Sequence, residues 1–541
     1  MSRQRKPIRA WFKQRPGARG WPGAGRGESS TFNTPTEYRG STRQVCGLWP
    51  FSVGAGAPIS GVPLGRHLDT LATVAGDPIS YFRDGIISNP SAFELGIPGI
   101  GKSSLSRRIA TGLAAYGTIP MVLGDIKPDY VDLIRVLGGQ IISIGSGRGF
   151  LNVLDPGDVT SALERLQRAL DEASAEGAAL EAQLRLDAAD ERRELEERAR
   201  AALARAAHLQ QIIEELAAEA HERKKTMTTA LLKIQRGRVL DDWEETLIDQ
   251  AISILERRPG IPIMQDLLAV IVEGSVELRE ITLDGGDDAL YTVQTKALQQ
   301  SLLGLIRGGR LGRTFSQHTS QPQLRDKPVV YDISGIAKGE EILRGAVLLA
   351  CWSAGFATIN ASHALTEAGL EPRRNYLVVM DEIHRALQSG PQVVDNVDLL
   401  TRTNRQDGVG TIMITHTIKD LLSLPTEAEN QKALGFIERS GMVLLGGLPS
   451  GEMPLLNRAV RLSVKEQDLL SSWTDPAPIN PKTGVASALP GRGKFMIKMG
   501  GAPAIPFKVE LVQTELAVHD TNKRWDRVST IGHVEREGVG A

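Results

Sequence analysis

The sequence has only two cysteines, Cys46 and Cys351, too few and too far apart for a disulfide framework or a zinc site, which fits a reducing compartment. Any metal is therefore expected to bind through oxygen. Aromatic residues are scarce at 5%, while hydrophobic residues reach 41% and charged residues 23%, a composition that folds over most of its length. Charge of one sign is also lacking: 63 Lys and Arg face 64 Asp and Glu, a formal net charge of −1. That balance removes any whole-chain attraction to nucleic acid or anionic membrane and leaves only local patches. The opening residues contain no apolar core of secretory-signal length. The nearest approach to a membrane span, 342–361, is interrupted by Arg344, Ser353, Thr358 and Asn360 and lies between two strand-like apolar runs, so it reads as a buried helix. The 541 residues predict two to four domains.

Charge does concentrate at the start. Residues 1–27 carry Arg3, Arg5, Lys6, Arg9, Lys13, Arg15, Arg19 and Arg26 and no acid, interleaved with Gly, Pro, Trp11, Phe12 and Trp21. Residues 1–40 are therefore expected to form a disordered basic arm, which has too little apolar surface to offset the entropy of ordering. It is either a tether to DNA phosphate or acidic lipid, or a solvated tail. A lead-in follows over 41–88.

From residue 89 the pattern becomes short apolar strands alternating with helical stretches, which reads as α/β. Strands are expected at 92–95, 120–124, 140–144, 329–333, 376–380, 411–415 and 442–445, with the apolarity of a mostly parallel sheet buried on both faces. The segments 89–157 and 325–520 form one domain, interrupted by a helical insertion over 158–324. Residues 161–225 are mostly Ala, Glu, Lys, Leu and Arg, with no Pro and only Gly177. Two coiled-coil-like registers run through Leu163, Leu166, Leu170, Ala173, Gly177, Leu180 and Leu184, and through Leu195, Ala199, Ala202, Ala206, Leu209, Ile213 and Leu216. The step from Leu184 to Leu195 is either a stutter in one helix or the corner of a hairpin. Near the end, 495–499 and 506–512 read as a β-hairpin extension of the sheet, with Arg492, Lys494 and Lys498 as candidate phosphate contacts. Residues 521–541 read as a flexible tail.

The sharpest motif is Gly96-Ile97-Pro98-Gly99-Ile100-Gly101-Lys102-Ser103, followed by Ser104, between a strand and an amphipathic helix. It fits G-x-x-x-x-G-K-[ST]. Such a loop wraps its backbone amides and the helix N-terminus around phosphate, with Lys102 reaching the β- and γ-phosphates and Ser103 joining Mg²⁺. Gly96, Pro98, Gly99, Ile100, Gly101, Lys102, Ser103 and Ser104 are thus the candidate ATP-binding residues. The strand 376–380 ends in Asp381-Glu382, placing two carboxylates where an open α/β sheet keeps its active site. Asp381 is the second candidate Mg²⁺ residue, and Glu382 the candidate base that polarises the attacking water. This acidic pair is expected on the strand adjoining the loop. His416, after the strand 411–415, is a candidate γ-phosphate sensor, and Arg402 or Arg405 a candidate arginine finger offered to a neighbouring subunit.

The motifs then fall in a telling order: GIPGIGKSS at 96–104, GDIKPDY at 124–130, a Gly pair before a strand, LNVLD at 151–155, the helical insert, LIRGGRLGRTF at 305–315, VVYDISGI at 329–336, VVMDEIH at 378–384, and a strand ending in Thr415-His416. This order resembles the conjugation, or type IV secretion, ATPases of the TraC kind, within the FtsK/HerA group of P-loop motors. The resemblance spans about residues 89–447. It implies a RecA-like, hexamer-forming ATPase at the inner face of a membrane-spanning transfer channel, cytoplasmic or peripheral, with channel proteins as partners and DNA reached through the arm or the ring pore. It places Lys102, Ser103, Asp381 and Glu382 on the family's nucleotide site. Two departures stand out: His416 occupies a position where many relatives have Gln, and little sequence precedes the loop compared with the N-terminal domain of such relatives. The rival reading is a DNA-pumping translocase or coupling protein of the same group; a third is a nucleotide-binding scaffold without turnover.

Overall fold

A computed structural model describes residues 58–145, 147–185, 192–308, 311, 313–390, 393–402, 408–477, 479 and 489–518. The basic arm, the start of the lead-in, Arg405 and the tail at 521–541 lie outside the described residues.

Eleven strands form one sheet: β1 (Pro63–His67), β2 (Thr73–Ala75), β3 (Ser91–Leu95), β4 (Thr118–Asp125), β5 (Gln140–Ser143), β6 (Val329–Asp332), β7 (Asn375–Met380), β8 (Val409–Thr415), β9 (Met442–Leu445), β10 (Lys494–Lys498) and β11 (Ile505–Val509). Their order across the sheet is β2-β1-β11-β10-β9-β3-β8-β7-β4-β6-β5. The run from β9 to β5 is parallel, and β10, β11, β1 and β2 continue it antiparallel. The seven strands expected from the apolar runs are all present. So is the closing hairpin, as β10 and β11.

The central strands are buried on both faces, and their side chains alternate between two cores as the period-two pleat requires. Phe93, Leu95, Met121, Leu123, Val378 and Met380 point into one core; Ala92, Val122, Leu377, Val379, Ile412 and Ile414 point into the other. Each fully buried Leu, Ile, Val, Phe or Met contributes about 1.5–3 kcal/mol relative to exposure. The first core is covered by the helix Glu341–Glu367. That helix is long and apolar enough to cross a membrane, yet 89% of its most apolar 18-residue window is buried against protein. The expectation of a core helix holds.

One expectation is corrected. β3, which carries the glycine loop, lies between β8 and β9, while Asp381 follows β7, so β8 intervenes between the loop and the acidic pair. Period and apolarity identify a buried strand but say nothing about which buried strand it pairs with. The lead-in also holds two strands that the pattern did not reveal. In β1, Gly65 permits a backbone approach that any side chain would block: a Cβ there would sit 1.9 Å from the carbonyl oxygen of Lys508 in β11.

The open choice in the insertion resolves as a hairpin. Helices Asp158–Leu184 and Arg192–Arg236 pack on each other, and residues 186–191 between them lie outside the described residues. Leu166, Leu170, Leu209, Ile212 and Leu216 share a core with Ala357, Ala361 and Leu365 of the helix Glu341–Glu367, so the hairpin's base docks on the sheet domain. Farther out, Leu180, Ala199 and Ala202 pack with the hairpin's own Leu184 and Leu195. Gly177 allows this close approach; a Cβ at that position would lie 3.1 Å from Leu203. Helices at 242–256, 264–273, 276–282 and 288–307 bury Leu247, Leu267, Leu278 and Leu298 in the first core. At the root of the insertion, Arg325 Nη1 donates to both carboxylate oxygens of Asp158 at 2.7 Å, and its Nη2 donates to Glu371 at 2.6 Å. This joins the start and end of the helical segment to the end of helix Glu341–Glu367.

Candidate functional site

The parallel strands deliver their carboxyl ends to one rim of the sheet. There β3 runs into the glycine loop, β4 ends in Asp125, β7 is followed by Asp381-Glu382, and β8 by His416. The loop is stitched to both neighbouring strand ends: Gly96 N donates to the His416 carbonyl at 3.1 Å and Ile97 N to the Gly447 carbonyl at 3.0 Å. Gly99 and Gly101 have φ of +82° and +109°, the left-handed region where a side chain would be strained, so the wrapped backbone depends on glycine. The helix Lys102–Ala115 starts immediately afterwards with no acid in its first turn, leaving its N-terminal amides and dipole available to an anion.

Pro98, Gly99, Gly101, Lys102, Ser103 and Ser104 line a cleft of ≈ 450 Å³ together with Asp381, Glu382 and His416. These sequence-selected residues therefore share one space. Two others do not face it with side chains. Ile100 is 3% exposed and packs into the second core, and Gly96 contributes its carbonyl, which accepts from Lys102 Nζ at 2.5 Å. Arg402 closes the helix Val393–Arg402. Of the basic hairpin residues, Arg492 lines the cleft, held there by a Gly493 N–H donating to the Ile100 carbonyl at 2.8 Å. Lys498 does not; it is 4% exposed and pairs with Glu466 at 3.2 Å.

The charged groups are tightly arranged. Lys102 Nζ also lies 2.9 Å from His416 Nδ1, and His416 Nε2 lies 3.2 Å from Glu382 Oε1. Lys127 Nζ reaches the same carboxylate oxygen at 3.3 Å. Burial alone would raise the Glu382 pKa, but the His416 hydrogen bond and the nearby charges of His416, His384 and Lys127 outweigh it and hold the carboxyl well below the usual range. Asp381 moves the other way: burial, then the Glu382 charge, pushes it up to about 7. Lys102 is lowered by burial, with Glu94, Asp381 and Glu382 opposing that shift. Glu382 itself sits at φ +53°, an uncommon conformation for a non-glycine residue, and its buried Oε2 has no hydrogen-bond partner.

Four further residues belong to this site: Asp125, Asp129 and His384, which the motifs contain without a stated role, and Arg107, which lies outside them. Asp125 accepts from the amides of Asp129 and Tyr130 at 3.0 and 2.7 Å, which turns the chain so that Asp129 Oδ2 accepts from Ser103 Oγ at 2.9 Å. Arg107, 5% exposed, donates to the Asp129 carbonyl. His384 Nδ1 lies 3.0 Å from Thr415 Oγ1, and its Nε2 3.6 Å from Glu382 Oε2. The signal was there in GDIKPDY and VVMDEIH, but only contact reveals what each residue supports. Glu94 carries no motif signal: on β3, fully buried, it accepts from Ser106 at 2.5 Å and is pushed up to about 8, mainly by burial.

Among the described residues, no group of three or more His, Cys, Asp or Glu side chains is placed to hold a metal unaided. The hydroxyl of Ser103 and the carboxylate of Asp381 are instead the sparse hard-oxygen set that Mg²⁺ accepts when phosphate oxygens and waters supply the remainder.

This sheet, with a glycine loop between strand and helix and a carboxylate pair two strands away, is the RecA-like P-loop ATPase fold. No family model and no curated protein matches the sequence. Among solved structures, VirB4 of Thermoanaerobacter pseudethanolicus shares the fold, with a TM-score of 0.52 and 17% identity over 85% of this chain and 100% of that chain. The bacterial conjugative coupling protein TrwB aligns more loosely, at TM-score 0.40 and 13% identity over 78% of this chain and 85% of that one. The cytoplasmic domain of the Thermomonospora curvata type VII secretion ATPase EccC gives a TM-score of 0.29 and 12% identity over 86% and 30%. The VirB4 likeness fixes the fold; the other two carry no further weight.

Proposed function

We propose that this chain is an ATP-hydrolysing motor of a conjugative, type IV secretion-like transfer system, powering channel assembly or substrate transfer. The observation that carries the reading is the meeting of Lys102, Ser103, Asp381 and Glu382 in one cleft, although the acidic pair arrives nearly 300 residues after the loop (positions 102 and 381). The motif order and the VirB4-like fold support the transfer role.

In this reading the loop amides and Lys102 hold the triphosphate, while Ser103 and Asp381 hold Mg²⁺, which when bound offsets phosphate charge. Glu382, ionised at neutral pH, orients the attacking water and accepts its proton. Phosphoryl transfer through a loose transition state needs positioning more than a strong base, which suits a carboxylate held by His416 and Lys127. Arg402 or Arg405 completes the site of a neighbour in a homo-oligomer, a hexamer by the resemblance. The chain works in the cytoplasm or at the inner face of the plasma membrane, beside channel proteins. The domain division, with a basic arm, a motor split by a helical insertion and a tail, belongs to the same proposal.

Phosphate release by the full chain with Mg²⁺ and ATP, with and without DNA, tests it. Turnover with little response to DNA supports the transfer motor. Strong stimulation by DNA that falls as salt rises would favour the DNA-pumping translocase. Nucleotide binding without any phosphate release would favour a scaffold. Removal of residues 1–27 is expected to lower association with DNA or anionic vesicles and to spare hydrolysis.

A further inference from the structure

The two helices of the insertion hairpin carry opposite charge side by side. Over residues 170–184 the helix Asp158–Leu184 holds Asp171, Glu172, Glu176 and Glu181 and no basic residue, while over 198–213 the helix Arg192–Arg236 holds Arg198, Arg200 and Arg205 and no acidic one. All seven side chains are exposed. The two stretches lie at the same level, since a Cβ on Gly177 would meet the Leu203 side chain at 3.1 Å. Leu203 itself is 44% exposed.

The hairpin does not use these charges on itself. Its seam is filled by Ala173, Gly177, Leu180, Ala199 and Ala202, all buried, which leaves the charged residues on the outward sides. Among the described residues, Glu172, Glu176, Glu181, Arg198 and Arg205 enter no ion pair, and Arg200 reaches only Glu196 of its own helix, at 4.0 Å. Glu172 and Glu176 are four residues apart, a spacing at which like charges destabilise a helix. Arg198 and Arg205, seven apart, fall on one face. The start of the second helix shows the opposite arrangement, with Arg192 paired to Glu196 at 3.4 Å and Arg193 to Glu197 at 3.6 Å.

An acidic helix and a basic helix on one hairpin are complementary to the same hairpin on a second copy of the chain. Resting on the homo-oligomer reading above, we propose that the hairpin is a contact between subunits. The acidic stretch 170–184 of one copy lies against the basic stretch 198–213 of the next, and Leu203 is covered between them. Such a contact is head-to-tail, so each copy offers one face and receives on the other, as a closed ring requires. A nucleic acid does not fit the same surface, because the acidic helix beside the basic one repels it.

Sedimentation velocity of the full chain over a range of concentrations, with Mg²⁺ and ADP, tests this. Glu172→Lys, Glu176→Lys and Glu181→Lys together make both helices basic; Arg198→Glu, Arg200→Glu and Arg205→Glu together make both acidic. Exposed ion pairs are individually weak, so the loss of three, with like charges in their place, should raise the concentration of half-assembly about tenfold in either variant. An equimolar mixture of the two should assemble at the parental concentration. So should one chain carrying all six substitutions, a recovery that misfolding cannot produce. If the parent assembles and both three-site variants assemble equally well, or if neither the mixture nor the six-site chain recovers, the hairpin contact is overturned and the homo-oligomer stands. A parent that stays monomeric at every concentration overturns both.

Discussion

Nε2 of His416 lies 3.2 Å from Oε1 of Glu382. The ring's other nitrogen lies 2.9 Å from Lys102 Nζ. A single imidazole therefore links the lysine of the glycine loop to the carboxylate that follows β7. β8 makes this possible by placing His416 between the loop of β3 and the acidic pair after β7.

Replacing Glu382 by Gln keeps the shape of the site and removes the carboxylate that the proposed mechanism uses to accept the water proton. Nucleotide binding should be retained and phosphate release should fall by about 10²–10⁴-fold. Lys102→Ala should instead lose binding and turnover together. Hydrolysis at the parental rate by the glutamine variant would remove Glu382 from the role assigned to it.

His416→Ala removes a hydrogen bond to a charged carboxylate, a loss of about 1.5–3 kcal/mol, which corresponds to about 10–100-fold in kcat if the contact persists in the transition state. His416→Gln should restore much of that loss, because its side-chain amide still offers an N–H to the carboxylate. Steady-state kinetics on the two variants checks the order, and a glutamine variant no better than alanine would count against the bridging role.

An arginine finger acts across a subunit boundary, which a mixing experiment isolates. Subunits carrying Lys102→Ala and subunits carrying Arg405→Ala should each be inactive in assemblies, while a mixture should recover turnover, because a Lys102→Ala subunit still offers Arg405 to an intact neighbouring loop. A mixture as inactive as its parts would place Arg405 outside the site; the same test applies to Arg402.

Glu371 receives Arg325, Arg165 and Arg374, and hydrogen bonds from Arg325 are the main reason its carboxyl is lowered to about 2. A depressed folded-state pKa stabilises fully above the unfolded carboxyl value, about 4.3, and the contribution is lost as pH falls from there toward 2. Glu371→Gln should therefore cost about 1–3 kcal/mol at neutral pH, between exposed and buried ion-pair values. Denaturation curves at pH 7 and pH 3 should show the gap between variant and parent narrowing in acid.

The loop, the acidic pair and the seven parallel strands were legible because each is written locally. Glycines at fixed offsets before Lys102, a carboxylate following an apolar run, and alternating three- and four-residue spacing all reflect backbone conformation within a few residues. Gly65 in β1 was not legible, because the carbonyl it must approach belongs to Lys508. The role of Asp129 was hidden for the same reason: its motif was visible, but its hydrogen bond is to a serine 26 residues earlier. The hairpin in the insertion left its two registers in the sequence but not the contact of Leu170 with the core shared by Ile212 and Ala361.

By itself, the sequence determined the chemistry on offer, namely a glycine loop with the phosphate-binding pattern, two carboxylates at a strand end, and long amphipathic helices, since these depend on side-chain type and local backbone period. Tertiary structure alone decided the neighbours: β8 between loop and acids, and His416 between Lys102 and Glu382. Strand order and long-range contact follow from how all the apolar faces are buried at once, and no local stretch of chain contains that information.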